Sequence, residues 1–200
     1  MSVLGRLHGS LVFDRRTRIL AARMAEILPP AARVLDVGCG DGSIDRLVGE
    51  LRPDIAITGI DVMIRPTTQT AVRPFDGKTI PYEDNSFDVV MFVDVLHHTN
   101  DPEILLREAR RVARRSVVLK DHTRDGILAG PILRFMDWVG NAPHGVVLPY
   151  NYWPEQRWHQ AFAHIGLRPQ VWLAKLGLYP APASWIFDRS LHFIARLDPI

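Results

Sequence analysis

The sequence predicts an α/β domain, a largely parallel sheet with helices on both faces, on three observations. Short β-branched runs alternate with stretches of helical periodicity as far as about residue 120. The runs are apolar at successive positions, as strands covered on both faces are. And 200 residues with 47% hydrophobic content fill one core of ordinary size rather than two.

Taken in order, Ile19, Leu20, Met24, Ile27 and Leu28 recur at helical spacing, so a first helix is predicted from about Arg16 to Leu28, stopped by Pro29-Pro30. Arg33 to Val37 is a short buried strand that runs into Gly38-Cys39-Gly40-Asp41-Gly42, after which Ser43 is placed to cap a helix ending near Leu51. Ala56 to Ile60 is a second strand finishing at Asp61, a weaker third lies near Thr70 to Phe75, and Phe87 to Val93 is a strongly apolar fourth. Asp101-Pro102 opens a helix with Ile104, Leu105, Ala109, Val112 and Ala113 on one face, followed by a fifth strand at Ser116 to Lys120. The alternation then breaks. Ile127 to Val139 reads as an apolar helix within residues 121–152, a stretch too long for a simple connection and read as a lid. A helix from about Pro154 to Ile165 stops at Gly166, and strand-like runs at Pro169 to Leu176 and Leu191 to Leu197 are predicted to form an antiparallel pair.

Composition narrows the function. The chain carries 24 Lys+Arg against 22 Asp+Glu, so no strong field favours nucleic acid or an anionic membrane. Arg107, Arg110, Arg111, Arg114 and Arg115 form a local cluster whose helical spacing spreads it over a solvated face. The lone Cys39 excludes an intrachain disulfide and a thiolate zinc cluster, and fits a reducing cytoplasm. The first eighteen residues lack the apolar core of a signal peptide, and no run is long enough to span a bilayer.

The decisive stretch is Val34-Leu35-Asp36-Val37-Gly38-Cys39-Gly40-Asp41-Gly42. Glycines at alternate positions let the backbone turn and approach a ligand, while the next helix aims free N–H groups at it. The dinucleotide fingerprint requires glycine where Ser43 stands, which counts against NAD and FAD. Asp61 ends the next strand, where a carboxylate can accept from both hydroxyls of a ribose. Asp76-Gly77 follows, then Asp84-Asn85-Ser86-Phe87-Asp88 and Val93-Asp94-Val95-Leu96-His97-His98.

With these motifs in this order, Val34 to Lys120 resembles the class I S-adenosylmethionine-dependent methyltransferase superfamily, in particular its small-molecule methyltransferase domains. The resemblance implies a Rossmann-like sheet of seven strands in the order 3-2-1-4-5-7-6 with strand 7 antiparallel. It implies a single methyltransferase domain over residues 1–200, with 121–152 a lid-like insertion between strand 5 and the next helix. Carried over residue by residue, it assigns Asp36, Gly38, Cys39, Gly40 and Gly42 to the methionine end of the cofactor and Asp61 to the ribose. Val62 and Met63 would pack on adenine, Asp76 and the Gly77 amide would hydrogen-bond it, and Val93 and Asp94 would lie near the sulfonium and the amino group. Ala113-Arg114-Arg115-Ser116 departs from the glycine-rich turn that usually precedes strand 5.

The acceptor expected is a small molecule methylated at O, N or C, and its pocket is assigned to residues 121–152 and 177–189. Transfer to such an acceptor needs mostly positioning, plus a base where a proton must leave. The candidates are His97, His98, Asp121 and His122, at the ends of strands 4 and 5. No metal is expected, because a magnesium site built on Asp94, Asp121 and His122 would want oxygen where His122 stands. Trp138, Tyr150, Tyr152, Trp153 and Trp158 read as core or lid packing, and so does Ile127 to Val139, which would be an interface only if exposed. A cofactor-binding protein without turnover and a nucleic-acid methyltransferase stand as the competing functions.

Overall fold

The computed structural model describes the backbone of residues 3–141 and 149–200, with side chains from 14 to 139 and from 149 to 200. Seven strands, β1 (Arg33–Val37), β2 (Ala56–Asp61), β3 (Val72–Pro74), β4 (Phe87–Val93), β5 (Ala113–His122), β6 (Leu167–Leu173) and β7 (His192–Pro199), form one sheet in the order β3-β2-β1-β4-β5-β7-β6. β1 pairs in parallel with β2 and β4, and β5 with β4, while β7 runs antiparallel to both β5 and β6. The expected order and the antiparallel last pair are both present. β5 is longer than expected at both ends, so Arg114 and Arg115 lie on a strand and not on a helix.

The strands sort their side chains by alternation. Leu35, Val37, Phe92 and Leu119 point to one face of the sheet, where Leu105, Leu106, Ala109 and Val112 of α3 (Pro102–Val112) and Trp158 and Phe162 of α5 (Glu155–Ile165) cover them. Val34, Met91, Val118 and Ile194 point to the other face, beneath Leu20, Ala21 and Met24 of α1 (Val3–Ile27) and Val48 of α2 (Ser43–Leu51). In α3, Leu106 takes the core position expected of Ile104, which is 40% exposed.

Local chemistry sets the helix ends. Asp101 caps α3 by accepting from the Glu103 amide at 3.0 Å, with Pro102 at the first helical position. Beyond the end of α1, the Arg52 guanidinium donates to the carbonyls of Ala25 and Leu28. Ser43 does not cap α2. Gly42 stands at the N-cap in a left-handed conformation, and the Asp41 carboxylate accepts from both the amide and the hydroxyl of Ser43.

Two further helices lie beyond β5: α4 (Ala129–Asn141) and the single turn α6 (Ser184–Phe187). The interior packing expected of residues 127–139 holds on one side only. Ala129 and Leu133 are buried with Tyr152 and Leu191, whereas Ile127, Leu128, Phe135, Trp138 and Val139 are exposed. α4 has a single layer beneath it, which is enough to bury one stripe of a helix and no more. Of the aromatic residues expected inside, Tyr152, Trp153 and Trp158 are buried and Trp138 is not. Of the stretch expected to form a lid, residues 142–148 lie outside the described residues. Among the described residues no helix is long and apolar enough to cross a membrane.

Candidate functional site

The carboxyl ends of β1, β2, β4 and β5 meet at one edge of the sheet, and the chemistry-bearing residues converge there. The loop after β1 folds back on the sheet through two backbone bonds, the amides of Gly38 and Cys39 donating to the Ile60 carbonyl at 2.7 and 3.2 Å. Gly38 has φ 80°, and a β-carbon on it would lie 2.5 Å from the Val95 side chain, so the loop seats directly against the end of β4. Around Gly40 there is open space instead, with nothing within 4 Å of where a β-carbon would stand.

Asp61 holds this loop as well as facing the edge. One of its oxygens accepts from the Gly40 amide at 2.8 Å and the other from the Met63 amide at 2.8 Å. Each oxygen keeps a further lone pair for a ligand. Asp36, 2% exposed, lies beneath the loop and does not stand in the open cleft. It faces Asp45 of α2, and burial raises the pKa of both carboxyls, that of Asp45 to about 6. Burial also raises the Cys39 thiol, aided by Asp36 and Asp45, which leaves it a small packing group and not a nucleophile.

Opposite the loop, Val62 is largely exposed, and its side chain stands 3.0 Å from where a β-carbon on Gly77 would be, so the two form one wall. Asp76 is exposed, with one oxygen accepting from the Lys78 and Thr79 amides, which fixes the turn and lowers its pKa.

At the ends of β4 and β5 the side chains form a continuous polar cluster. Asp94, at φ 58°, is ion-paired with Lys120 and with Arg16 of α1, and His122 Nε2 lies 3.2 Å from it. Burial works to raise the Asp94 pKa, but Lys120 and Arg16 overcome it and hold the group well below the carboxylate range. Asp121, fully buried, accepts from the Leu96 amide at 3.0 Å, the His122 amide at 2.8 Å and His97 Nδ1 at 2.7 Å. Burial would lower the His97 pKa; the carboxylates of Asp121 and Asp137 beside it raise it to about 9. His122 moves the other way, to about 4, by burial and the nearby Lys120. His98 is lowered by burial and by His97.

The four candidate bases are therefore not equivalent. Asp121, His97 and His122 are sealed inside, and His98, with 17% of its side chain accessible, is the one that reaches solvent. Asp121 and Asp94 spend their oxygens on protein donors, which leaves little for a magnesium ion between them and His122. Four members of the cluster went unread in the sequence: Arg16, Lys120, Asp137 and Tyr152, whose hydroxyl donates to Asp137 at 2.8 Å. The signals were a lysine closing an apolar strand and an acid inside an apolar helix, both of which demand buried partners.

A family model described as a methyltransferase domain matches residues 11–170. The chain belongs to the methyltransferase domain family. Among relatives of this methyltransferase domain, 27-O-demethylrifamycin SV methyltransferase of Amycolatopsis mediterranei (strain S699) is 32% identical over 120 residues, covering 52% of this chain and 44% of the relative. The 2-methyl-6-phytyl-1,4-hydroquinone methyltransferase of Synechocystis sp. (strain ATCC 27184 / PCC 6803 / Kazusa) is 28% identical over 158 residues, covering 70% of the chain and again 44% of the relative. The methyltransferase domain thus spans less than half the length of either. In fold it is similar to an S-adenosylmethionine dependent methyltransferase from Mesorhizobium loti, with a TM-score of 0.62 at 18% identity over 86% of this chain and 93% of that one.

Proposed function

We propose that the chain transfers a methyl group from S-adenosylmethionine to a small-molecule acceptor. The observation that carries this reading is the convergence of the open Gly40 loop, the Asp61 carboxylate and the Val62–Gly77 wall at one sheet edge, beside the polar cluster of β4 and β5. The cofactor, when bound, supplies an electrophilic methyl on a sulfonium; the residues need only bind and orient the two partners. The loop from Gly38 to Gly42, with Cys39 within it, would take the methionine end and Asp61 the ribose hydroxyls. Val62 and Met63 would lie on adenine, with Asp76 and the Gly77 amide at its edge and Val93 and Asp94 beside the amino group. The residues fit: Gly40 is a cradle that a side chain would fill, and Asp61 beside it keeps lone pairs for a ligand.

His98 is the side chain that meets the acceptor, with residues 121–152 as the lid over it. That assignment rests on Asp137 and Tyr152, through which this segment reaches into the cluster. A small acceptor is favoured over nucleic acid by the arginine face, where Arg107 is paired with Glu103, Arg111 with Glu108 and Asp84, and Arg114 with Asp88. Each of these arginines stands beside a carboxylate that offsets part of its charge toward a phosphate.

Calorimetry with S-adenosylhomocysteine tests the reading. Wild type is expected to bind, and Asp61→Ala to weaken binding at least about tenfold by loss of charge-assisted hydrogen bonds. Absence of binding by a folded wild-type chain would sink the proposal.

A further inference from the structure

We propose that His97, His98 and Asp137 form a binding site for one first-row divalent transition-metal ion, of the zinc or cobalt class, at the acceptor side of the cluster. Their three ligand atoms lie within 4.8 Å of one another. Asp137 Oδ1 stands 3.8 Å from His97 Nε2 and 3.6 Å from His98 Nε2. Both separations are longer than a good hydrogen bond and shorter than the about 4.5 Å that an interposed water would set. Donors bound to a tetrahedral ion at about 2.0–2.2 Å stand about 3.4 Å apart, so the two separations to Asp137 need to close by only a few tenths of an ångström.

The surroundings are those of a metal centre. His97 gives its other ring nitrogen to the Asp121 carboxylate at 2.7 Å, the carboxylate–histidine arrangement that fixes the ring and keeps Nε2 turned to the ion. Asp121 is itself fixed by the amides of Leu96 and His122. The second oxygen of Asp137 accepts from Tyr152, so the carboxylate is oriented from behind in the same way. His97 and Asp137 are buried, and His98 opens on solvent, which gives the ion an approach and leaves a coordination position for an acceptor oxygen.

A second group of ligands close by, Asp94, His97 and His122, is a poorer site. Asp94 already carries Lys120 and Arg16, and a dication there would meet two fixed positive charges. Two imidazoles with one carboxylate select a borderline-soft ion over magnesium or calcium, which want oxygen. This inference rests on the methyltransferase reading for its purpose: an ion at this place would bind an acceptor hydroxyl and lower its pKa toward neutrality.

The test uses the full chain, freed of metal with a chelator and dialysed, and titrated calorimetrically with zinc chloride, with S-adenosylhomocysteine titrated in parallel. One zinc per chain is expected, together with a visible d–d absorption when cobalt(II) replaces it. His98→Ala and Asp137→Asn should each weaken zinc binding by about 100-fold or more and abolish the cobalt spectrum, with folding checked by circular dichroism. Should Asp137→Asn fail to fold, His98→Gln and His98→Ala, altered at the solvent side, decide the matter. A chain that binds S-adenosylhomocysteine but no zinc overturns the ion site and leaves the methyltransferase reading standing. So does zinc binding that survives both histidine variants. A chain that binds zinc through His98 but no S-adenosylhomocysteine keeps the site and sinks the reading.

Discussion

Asp45 shows what one buried carboxyl does to stability. The folded chain holds its proton up to about pH 6, while an unfolded chain releases it near 3.8. Its contribution to folding is therefore full below pH 3.8 and disappears as the pH rises through 6. Asp45→Asn, which has no such proton to lose, should be more stable than wild type at pH 8 by about 3 kcal/mol, with the difference vanishing near pH 4; urea denaturation at the two pH values measures it. A variant equal to wild type at both would mean that Asp36 and Asp45 share their proton differently. Gly38→Ala should act in the opposite direction and cost at least about 1–3 kcal/mol, because a β-carbon at φ 80° meets Val95. The meeting of Gly38, Gly40 and Asp61 at one sheet edge was legible in the sequence, since the spacing of glycines and acids along two strands is a local pattern. Lys120 and Arg16 were not, because a partner 26 or 78 positions away leaves no mark on the local periodicity.

At the scale of elements, legibility followed the strength of the pattern. β1 and β4 lie where their apolar runs predict them, and α5 ends at Gly166 in the expected left-handed cap. β5 outgrew its prediction at both ends, because its neighbours on either side continue to offer hydrogen bonds where the apolar run has stopped. α3 is held at its start by Asp101, and Asp101→Ala should lower stability by about 1 kcal/mol, seen as an earlier thermal midpoint. For α4 the apolar run predicts the helix, but the interior packing it suggests holds on one side only. Periodicity reports which residues are apolar, and how many layers cover them is a property of the assembled fold. With Trp138 and Trp185 exposed, Trp138→Ser and Trp185→Ser should each change stability by less than about 0.5 kcal/mol, whatever they do to association or to acceptor binding. A large loss in either would place that ring in a packed interior.

For the molecule as a whole, the core on one face of the sheet runs out to the site through β7 and α5. Phe193, in β7, is fully buried, stacks on Trp172 at 4.2 Å and lies against Trp158, whose indole donates to the His122 carbonyl. The packing beside β7 is thus continuous with the backbone of the polar cluster at the ends of β4 and β5. Phe193→Ala should cost about 3–5 kcal/mol and lower the denaturation midpoint without changing its slope. The resemblance supplied the strand order, since no local pattern in residues 167–199 says which neighbour each strand takes.

The place of β7, inserted between β5 and β6, orders events during synthesis. As the polypeptide leaves the ribosome, β1 to β5 can assemble in sequence, each onto a strand already made. β6 then emerges with no neighbour to join, because the strand that links it to the sheet has yet to be translated. Until His192–Pro199 arrives, β5 presents an open edge, the kind of surface that recruits chaperones or another nascent chain.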